Sequence, residues 1–430
     1  MSHLPENAIA IIGIGYVGLP LALVLARHHA DVIAYDVDIS RIEELRLGID
    51  RNDPSGLPFD RTDALCFTNE PADLTRASAY IVTVPTPIDG NRRPDLAPVR
   101  EACAEIARVI EKGDLVILES TVYPGVTEEV CGPLIADLSG LVQGTDFKLG
   151  YSPERVNPGD RENTVESVVK IVAGQDPEAL DRVAAIYGPA ITAGLFMARS
   201  IQVAEAAKVV ENVQRDINIA LMNELALIFD RMGIRTSDVI DAAATKWNFQ
   251  KFTPGLVGGH CIGVDPYYLI SRAEGLGYYP EVIRAARRLN NGLADFVAQR
   301  TVDLVVGSGR AIGGAKIGVL GLTFKENVSD VRNSQSPAIV RELGRYGAIV
   351  LCHDPHADAG RLSRDHGVDL SSWDELRELD AMVVTVPHRK YLETPKADLF
   401  ARLRPGGIVV DVKSSFNPDE LPETLCYWSL

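Results

Sequence analysis

Residues 8–18 read Ala-Ile-Ala-Ile-Ile-Gly-Ile-Gly-Tyr-Val-Gly, an apolar run followed by glycines at 13, 15 and 18. The run is too short for a helix and has the character of a buried parallel strand. Each glycine then has its own task. Gly13 allows a tight bend, Gly15 lets a pyrophosphate approach the backbone, and Gly18 lets the next helix sit close on the sheet. A chain with this turn is committed to a strand–turn–helix unit whose helix start offers N–H groups and a positive dipole end to an anion. Asp36 follows a second strand at 31–35. An acid there accepts hydrogen bonds from a ribose 2′-hydroxyl and repels a 2′-phosphate, which favours NAD over NADP. Asp38 competes for that role, and Arg41 would partly offset the repulsion. The rival readings are glycines serving packing alone and a flavin dinucleotide, for which no second motif is present.

The pattern set by this turn continues. Apolar runs at 79–84, 114–118 and 168–173 alternate with helical stretches at 17–28 and 97–112. Strands alternating with helices predict a doubly wound parallel sheet through about residue 195. From Ser200 to Met232 there is no Gly or Pro, and apolar residues recur at helical spacing, predicting one long helix. More helix is predicted at 236–247, 267–275 and 280–307, with a Gly/Pro-rich loop at 253–266. At Gly313-Gly314-Ala315 the pattern resets, with strands at 316–322, 348–352, 381–386 and 407–412 and a helix at 336–346. The expected fold is α/β, with two Rossmann-like doubly wound parallel-sheet domains joined by a long central helix and a helical domain. The expected divisions are 1–199, 200–310 and 311–430. The second α/β domain lacks the glycine spacing, so a different ligand is expected there, with a small-molecule cleft between the two.

A net charge of −16 argues against non-specific nucleic acid binding. An anionic substrate would therefore need a local cluster of Lys and Arg. No apolar run reaches the roughly 18 residues that a membrane span requires. Met1 to Asn7 is polar and leads directly into a strand, so no cleaved signal is expected. The six cysteines contain no C-x-x-C, which indicates neither a metal site nor a disulfide framework. Reduced thiols in the cytoplasm are the expectation.

One cysteine stands in an unusual setting: Gly258-Gly259-His260-Cys261-Ile262-Gly263-Val264-Asp265-Pro266. Glycines on both sides leave the Cys261 backbone uncluttered, as close approach of a ligand requires. A lone cysteine also serves as a small core residue, and the local sequence leaves both readings open. Lys208 and Asn212 stand at i and i+4 of the long helix and so share a face. Among apolar neighbours, such a lysine would lower a thiol pKa or stabilise an oxyanion. The alternative is a solvated face.

Several further motifs follow in order: Val84-Pro85-Thr86-Pro87, Glu119-Ser120-Thr121-Val122-Tyr123-Pro124-Gly125, Ser152-Pro153-Glu154-Arg155-Val156-Asn157-Pro158-Gly159, and Gly321-Leu322-Thr323-Phe324-Lys325 with Asp330-x-Arg332. With the glycine turn, the Lys208–Asn212 pair and the thiol loop, they resemble the nucleotide-sugar 6-dehydrogenases, the family of UDP-glucose, GDP-mannose and UDP-N-acetylhexosamine dehydrogenases. The resemblance covers essentially the whole chain. The wording from Gly255 to Leu269 is most similar to the Vi-polysaccharide and O-antigen branch, which oxidises UDP-N-acetylglucosamine or UDP-N-acetylgalactosamine for bacterial surface polysaccharide.

The resemblance implies that Cys261 is the nucleophile and that Lys208 and Asn212 hold the developing oxyanion. Asp265 would act with Lys208 in handling protons and water, Thr121 would position that water, and Glu154 would serve as acid/base. Tyr16, Val17, Thr86 and Thr121 would join Gly13, Gly15, Gly18, Asp36 and Arg41 around NAD, with Arg332 reaching toward the cofactor. Glu154, Arg155, Val156, Lys208, Asn212, Gly258, Phe324, Lys325 and Lys413 would hold the UDP-sugar. A homodimer through the central helix is implied as well. At two positions the chain departs from the UDP-glucose branch. That branch has a second glutamate where Pro158 stands and a lysine where Val264 stands, so UDP-glucose is a less expected substrate. UDP-N-acetylmannosamine, or a single-hydride hydroxyacid oxidation, are the alternatives.

Overall fold

The computed structural model describes residues 8–52, 59, 62–155, 163–259 and 261–430. They form two compact units, Met1–Glu211 with Tyr267–Tyr279, and Asn212–Pro266 with Pro280–Leu430.

The first unit is built on eight strands: β1 Ala8–Ile12, β2 Val32–Tyr35, β3 Leu65–Thr68, β4 Ala77–Val82, β5 Leu115–Leu118, β6 Lys148–Tyr151, β7 Lys170–Gly174 and β8 Leu195–Met197. Their order across the sheet is β3-β2-β1-β4-β5-β6-β7-β8. The first six strands have the dinucleotide-fold order, which reverses between β1 and β4 and opens a crevice at their carboxyl ends. Ile9, Ile11, Val32, Ala34, Ile81 and Ile117 are among the residues that seal one core of this sheet. One pairing departs from the all-parallel expectation. β7 runs antiparallel to β6, with Gly150 opposite Gly174 and Tyr151 opposite Ala173. The described residues between them contain no helix of the kind that usually joins parallel neighbours.

The second unit carries five parallel strands: β9 Lys316–Leu320, β10 Ile349–His353, β11 Leu379–Val384, β12 Leu403–Asp411 and β13 Cys426–Ser429. Their order, β10-β9-β11-β12-β13, reverses between β9 and β11. Alternate residues feed two cores. Ile317, Val319, Val383 and Val410 face one, and Leu320, Met382, Val384 and Val409 face the other. Burial on both faces is why these strands read as continuous apolar runs.

The predicted long helix is Ile201–Met232, 32 residues. Helices Thr236–Ala244, Asp265–Gly275 and Glu281–Gly307 fall where the sequence predicts them. Among the described residues no helix is long and apolar enough to cross a membrane.

Candidate active site

The glycine turn after β1 is sterically obligatory. Gly13 has φ +95°, and a Cβ there would lie 2.9 Å from Val84 Cγ1. A Cβ on Gly18 would lie 2.0 Å from the Gly13 carbonyl oxygen, whereas Gly15 faces open space. The Thr83 hydroxyl, just beyond β4, donates to that same carbonyl at 2.7 Å and ties the two strands together at the crevice. Asp36 accepts from the Ile14 N–H at 2.7 Å and from the Asp38 N–H at 2.9 Å, which fixes its carboxylate beside the turn. Asp38 has different work. It caps helix Ile39–Arg46 by accepting from Arg41 N and also pairs with Arg51. Arg41 is buried, donates to the Ile14 carbonyl and pairs with Asp50 at 2.7 Å. Tyr16, Val17 and Thr86 are half-buried. A bound NAD therefore has an open Gly15, a helix start and a positioned carboxylate to meet.

Thr121 and Glu154 are half-buried and follow β5 and β6. Behind them lies a buried ion pair. Lys170 donates to Glu119 at 2.6 Å, and the Tyr187 hydroxyl donates to the other carboxylate oxygen at 2.7 Å. Burial pushes the Glu119 carboxyl up, and Lys170 opposes that shift. Lys170 also reaches the Pro153 carbonyl at 3.4 Å, the residue before Glu154. Arg155 pairs with Glu211 of the long helix at 2.6 Å. Lys208 is only 8% exposed, so the solvated-face reading of this lysine does not hold. Val156 and its neighbours through Gly159 lie outside the described residues, as does His260.

In the second unit the thiol loop is pinned from several sides. Val264 N and Asp265 N donate to the Cys261 carbonyl at 3.0 and 2.8 Å, starting helix Asp265–Gly275. The Asn212 amide donates to the buried Asp265 carboxylate at 2.5 Å. Gly258 and Gly259 lie against Phe324 and Asn333. A Cβ on Gly258 would be 2.8 Å from the Asn333 carbonyl oxygen, and one on Gly259 would be 2.8 Å from the Phe324 ring. Asn333 donates to the Gly259 carbonyl and Gln335 to that of Val257. The structure thus brings Asn212, Gly258, Cys261, Asp265 and Phe324 together. Lys325 lies 5.5 Å from the Phe324 ring centre, Lys413 pairs with Glu326, and Arg332 forks onto Asp330.

Two supports escaped the sequence reading. Along the long helix, Asp216 and Asn223 are fully buried and join Arg287 and Asn290 in a polar network, in which Asn223 accepts from Gly255 N at 2.8 Å. Polar residues inside an apolar helical period were the available signal. At the carboxyl ends of β9, β10 and β11, Asp354 accepts from Leu322 N, Thr323 N, His356 N and Ala357 N. His388 Nδ1 accepts from Asn327 N, so its proton sits on Nε2 and points to Asp354 at 2.9 Å. Burial opposes charge on Asp354, but His388 and the backbone N–H groups outweigh it and hold the carboxyl at about 2. The loop carrying Phe324 and Lys325 is thereby fastened at both ends.

These two sets of residues coincide with known domains. Residues 7–191 match the NAD binding domain of the UDP-glucose/GDP-mannose dehydrogenase family, 202–292 its central domain, and 318–418 its UDP binding domain. A UDP-N-acetyl-D-glucosamine 6-dehydrogenase of Pseudomonas aeruginosa is 47% identical over 384 residues, 89% of this chain and 91% of that protein. Its namesake from Salmonella typhi is 43% identical over 96% of this chain and 97% of its own length. A solved UDP-D-ManNAc dehydrogenase of Pyrococcus horikoshii superposes with a TM-score of 0.87 at 29% identity, covering 98% of each chain. The glycine turn that opens the sequence, the thiol loop and all three matched domains agree: the chain belongs to the UDP-glucose/GDP-mannose dehydrogenase family, nucleotide-sugar dehydrogenases that use NAD.

Proposed function

We propose that the chain oxidises the C6 hydroxyl of a UDP-N-acetylhexosamine, UDP-GlcNAc or UDP-GalNAc, to the carboxylate in two successive oxidations at one thiol. One observation carries this reading. Cys261 sits in a loop whose glycines pack on Phe324 and Asn333, directly before an Asp265 that is hydrogen-bonded to Asn212. A simple alcohol dehydrogenase needs no such thiol. The names of the relatives at 43% and 47% identity support the N-acetylglucosamine substrate.

Turning an alcohol carbon into a carboxylate removes four electrons, and NAD, when bound, accepts two of them in each round. Between rounds Cys261 keeps the carbon. Its thiolate adds to the aldehyde to form a thiohemiacetal, whose oxidation leaves a thioester. Water then adds to the acyl carbon, the C–S bond breaks with its electron pair returning to sulfur, and two protons leave as the carboxylate forms. Lys208 and Asn212 donate to the same oxygen at each addition. Asp265 handles protons with Lys208, Thr121 orients the water, and Glu154 is the acid/base. Gly13, Gly15, Tyr16, Val17, Gly18, Asp36, Arg41, Thr86, Thr121 and Arg332 serve NAD. Arg155, Val156, Gly258, Phe324, Lys325 and Lys413 serve the UDP-sugar, together with Glu154, Lys208 and Asn212.

On this reading 1–199 is the cofactor domain, 200–310 the central one and 311–430 the UDP-sugar domain. The nucleophile must stay reduced, which suits the cytoplasm. A homodimer forms along the long helix, where Val203, Val210, Leu221 and Ile228 are exposed and fall on one stripe. The deciding experiment counts NADH per UDP-GlcNAc consumed and identifies the product by mass. Two NADH and a uronate are expected. One NADH and a carbonyl product would overturn the proposal in favour of single-hydride oxidation.

A further inference from the structure

Glu205 has no part in the chemistry above, yet it is fully buried on the long helix, three residues before Lys208. Its carboxylate accepts three hydrogen bonds from one short stretch, from Gly125 N at 2.6 Å, Thr127 N at 2.9 Å and the Thr127 hydroxyl at 2.7 Å. That stretch begins a helical segment, the π-helical turn Thr127–Cys131 that continues into helix Gly132–Ser139. The first N–H groups of any helix lack partners within it, and a carboxylate is favoured there by their dipoles. Here the acceptor comes from a helix 78 residues further along the chain. Gly125 sits at φ +105°, a backbone conformation that side chains rarely adopt, so the turn into this segment calls for glycine. Burial raises the Glu205 carboxyl to about 7, with the Glu128 charge adding to the rise. Once protonated, the carboxyl can donate to the Thr127 hydroxyl, so the clamp persists in either charge state.

The clamped stretch runs back through Pro124, Tyr123 and Val122 to Thr121. Lys208 lies one helical turn beyond Glu205. One carboxylate therefore ties the Thr121 loop to the turn of helix that presents Lys208. We propose that Glu205 is a positioning residue that sets Thr121 against Lys208, and that its loss slows hydrolysis of the Cys261 thioester more than it slows oxidation. The proposal rests on the thioester reading above. Hydrolysis needs a water and an oxyanion donor held in register, and misplacement by an ångström costs on the order of a hundredfold. Among the described residues the clamp makes no hydrogen bond to the glycine turn, which Thr83 and Val84 flank instead.

The test is Glu205→Gln in the full-length protein. Glutamine keeps the shape but turns one oxygen into a donor facing an N–H, so one bond is lost. The expected result is uronate release slowed on the order of a hundredfold, a nearly unchanged KM for UDP-GlcNAc, and an acyl adduct on the Cys261 peptide by mass spectrometry during turnover. Thr127→Val should show part of this effect, and Thr127→Ser should behave as the parent. Parent-like turnover in Glu205→Gln would overturn the proposal. So would a uniform loss of both oxidation and hydrolysis that follows a lowered Tm without adduct. Cys261→Ser keeps the two ideas apart: if it still makes uronate, the thioester reading itself has failed.

Discussion

Lys170 donates to Glu119 across 2.6 Å in a place where their side chains are 4% and 1% exposed. The pair stands behind Glu154, since Lys170 also reaches the Pro153 carbonyl. A buried ion pair adds little net stability, but removing one partner strands the other charge in the interior. Lys170→Met should therefore cost about 3–5 kcal/mol, read as a lower urea midpoint. Lys170→Met combined with Glu119→Leu should recover much of it. A single mutant as stable as the parent would show that the pair is solvated in solution.

Asp36 bears on cofactor choice. On the proposed reading, Asn at this position keeps an acceptor for Ile14 N but removes the charge that would face a ribose hydroxyl and repel a phosphate. A hydrogen bond to a charged group contributes about 1.5–3 kcal/mol. Asp36→Asn should thus lower kcat/KM for NAD roughly tenfold or more, with less effect on NADP. An unchanged NAD/NADP ratio would move the role elsewhere.

The stripe on the long helix carries its own expectation. Val210→Glu places a charge at its centre without touching Lys208 or Asn212. In sedimentation the parent should run at twice the 46.6 kDa chain mass, and the variant should run at the chain mass. A variant that stays at the parent's mass would place the interface on another face.

His353 predicts how stability depends on pH. Burial, with Lys390 nearby, lowers its value from 6.5 to about 4. Between those values the unfolded chain takes up a proton that the folded chain refuses, so stability falls as pH drops from 6.5 toward 4. Replacing His353 with Gln should flatten that part of a Tm-against-pH curve. A slope of the same size in the variant would assign it to other groups.

The first half of the sheet and the cofactor turn were legible because steric need leaves its mark on sequence. Only glycine fits at 13 and 18, and the fully buried positions of β1 and β4 take Ala, Ile, Val or Tyr. The long helix was legible from what it lacks. β6, read as Lys-Leu-Gly-Tyr, and the three-residue β8 are too short for any period to emerge, so the antiparallel return went unseen. Glu205, Asp216 and Asn223 interrupt the apolar period of the long helix, but that interruption alone does not say what they bind. A buried polar residue whose partner is distant in sequence looks like a surface residue until the partner is known. His388 and Asp354 belong to the same class, being 34 residues apart and joined only by the fold.

Gly259 sits at φ +80° with the Phe324 ring where its side chain would be. Neither position can vary freely on its own. A methyl at 259 would have to displace the aromatic at 324 and strain the turn, so the Cys261 loop and the Phe324 loop are sterically coupled. Any change at either position has to be met by an accommodating change at the other.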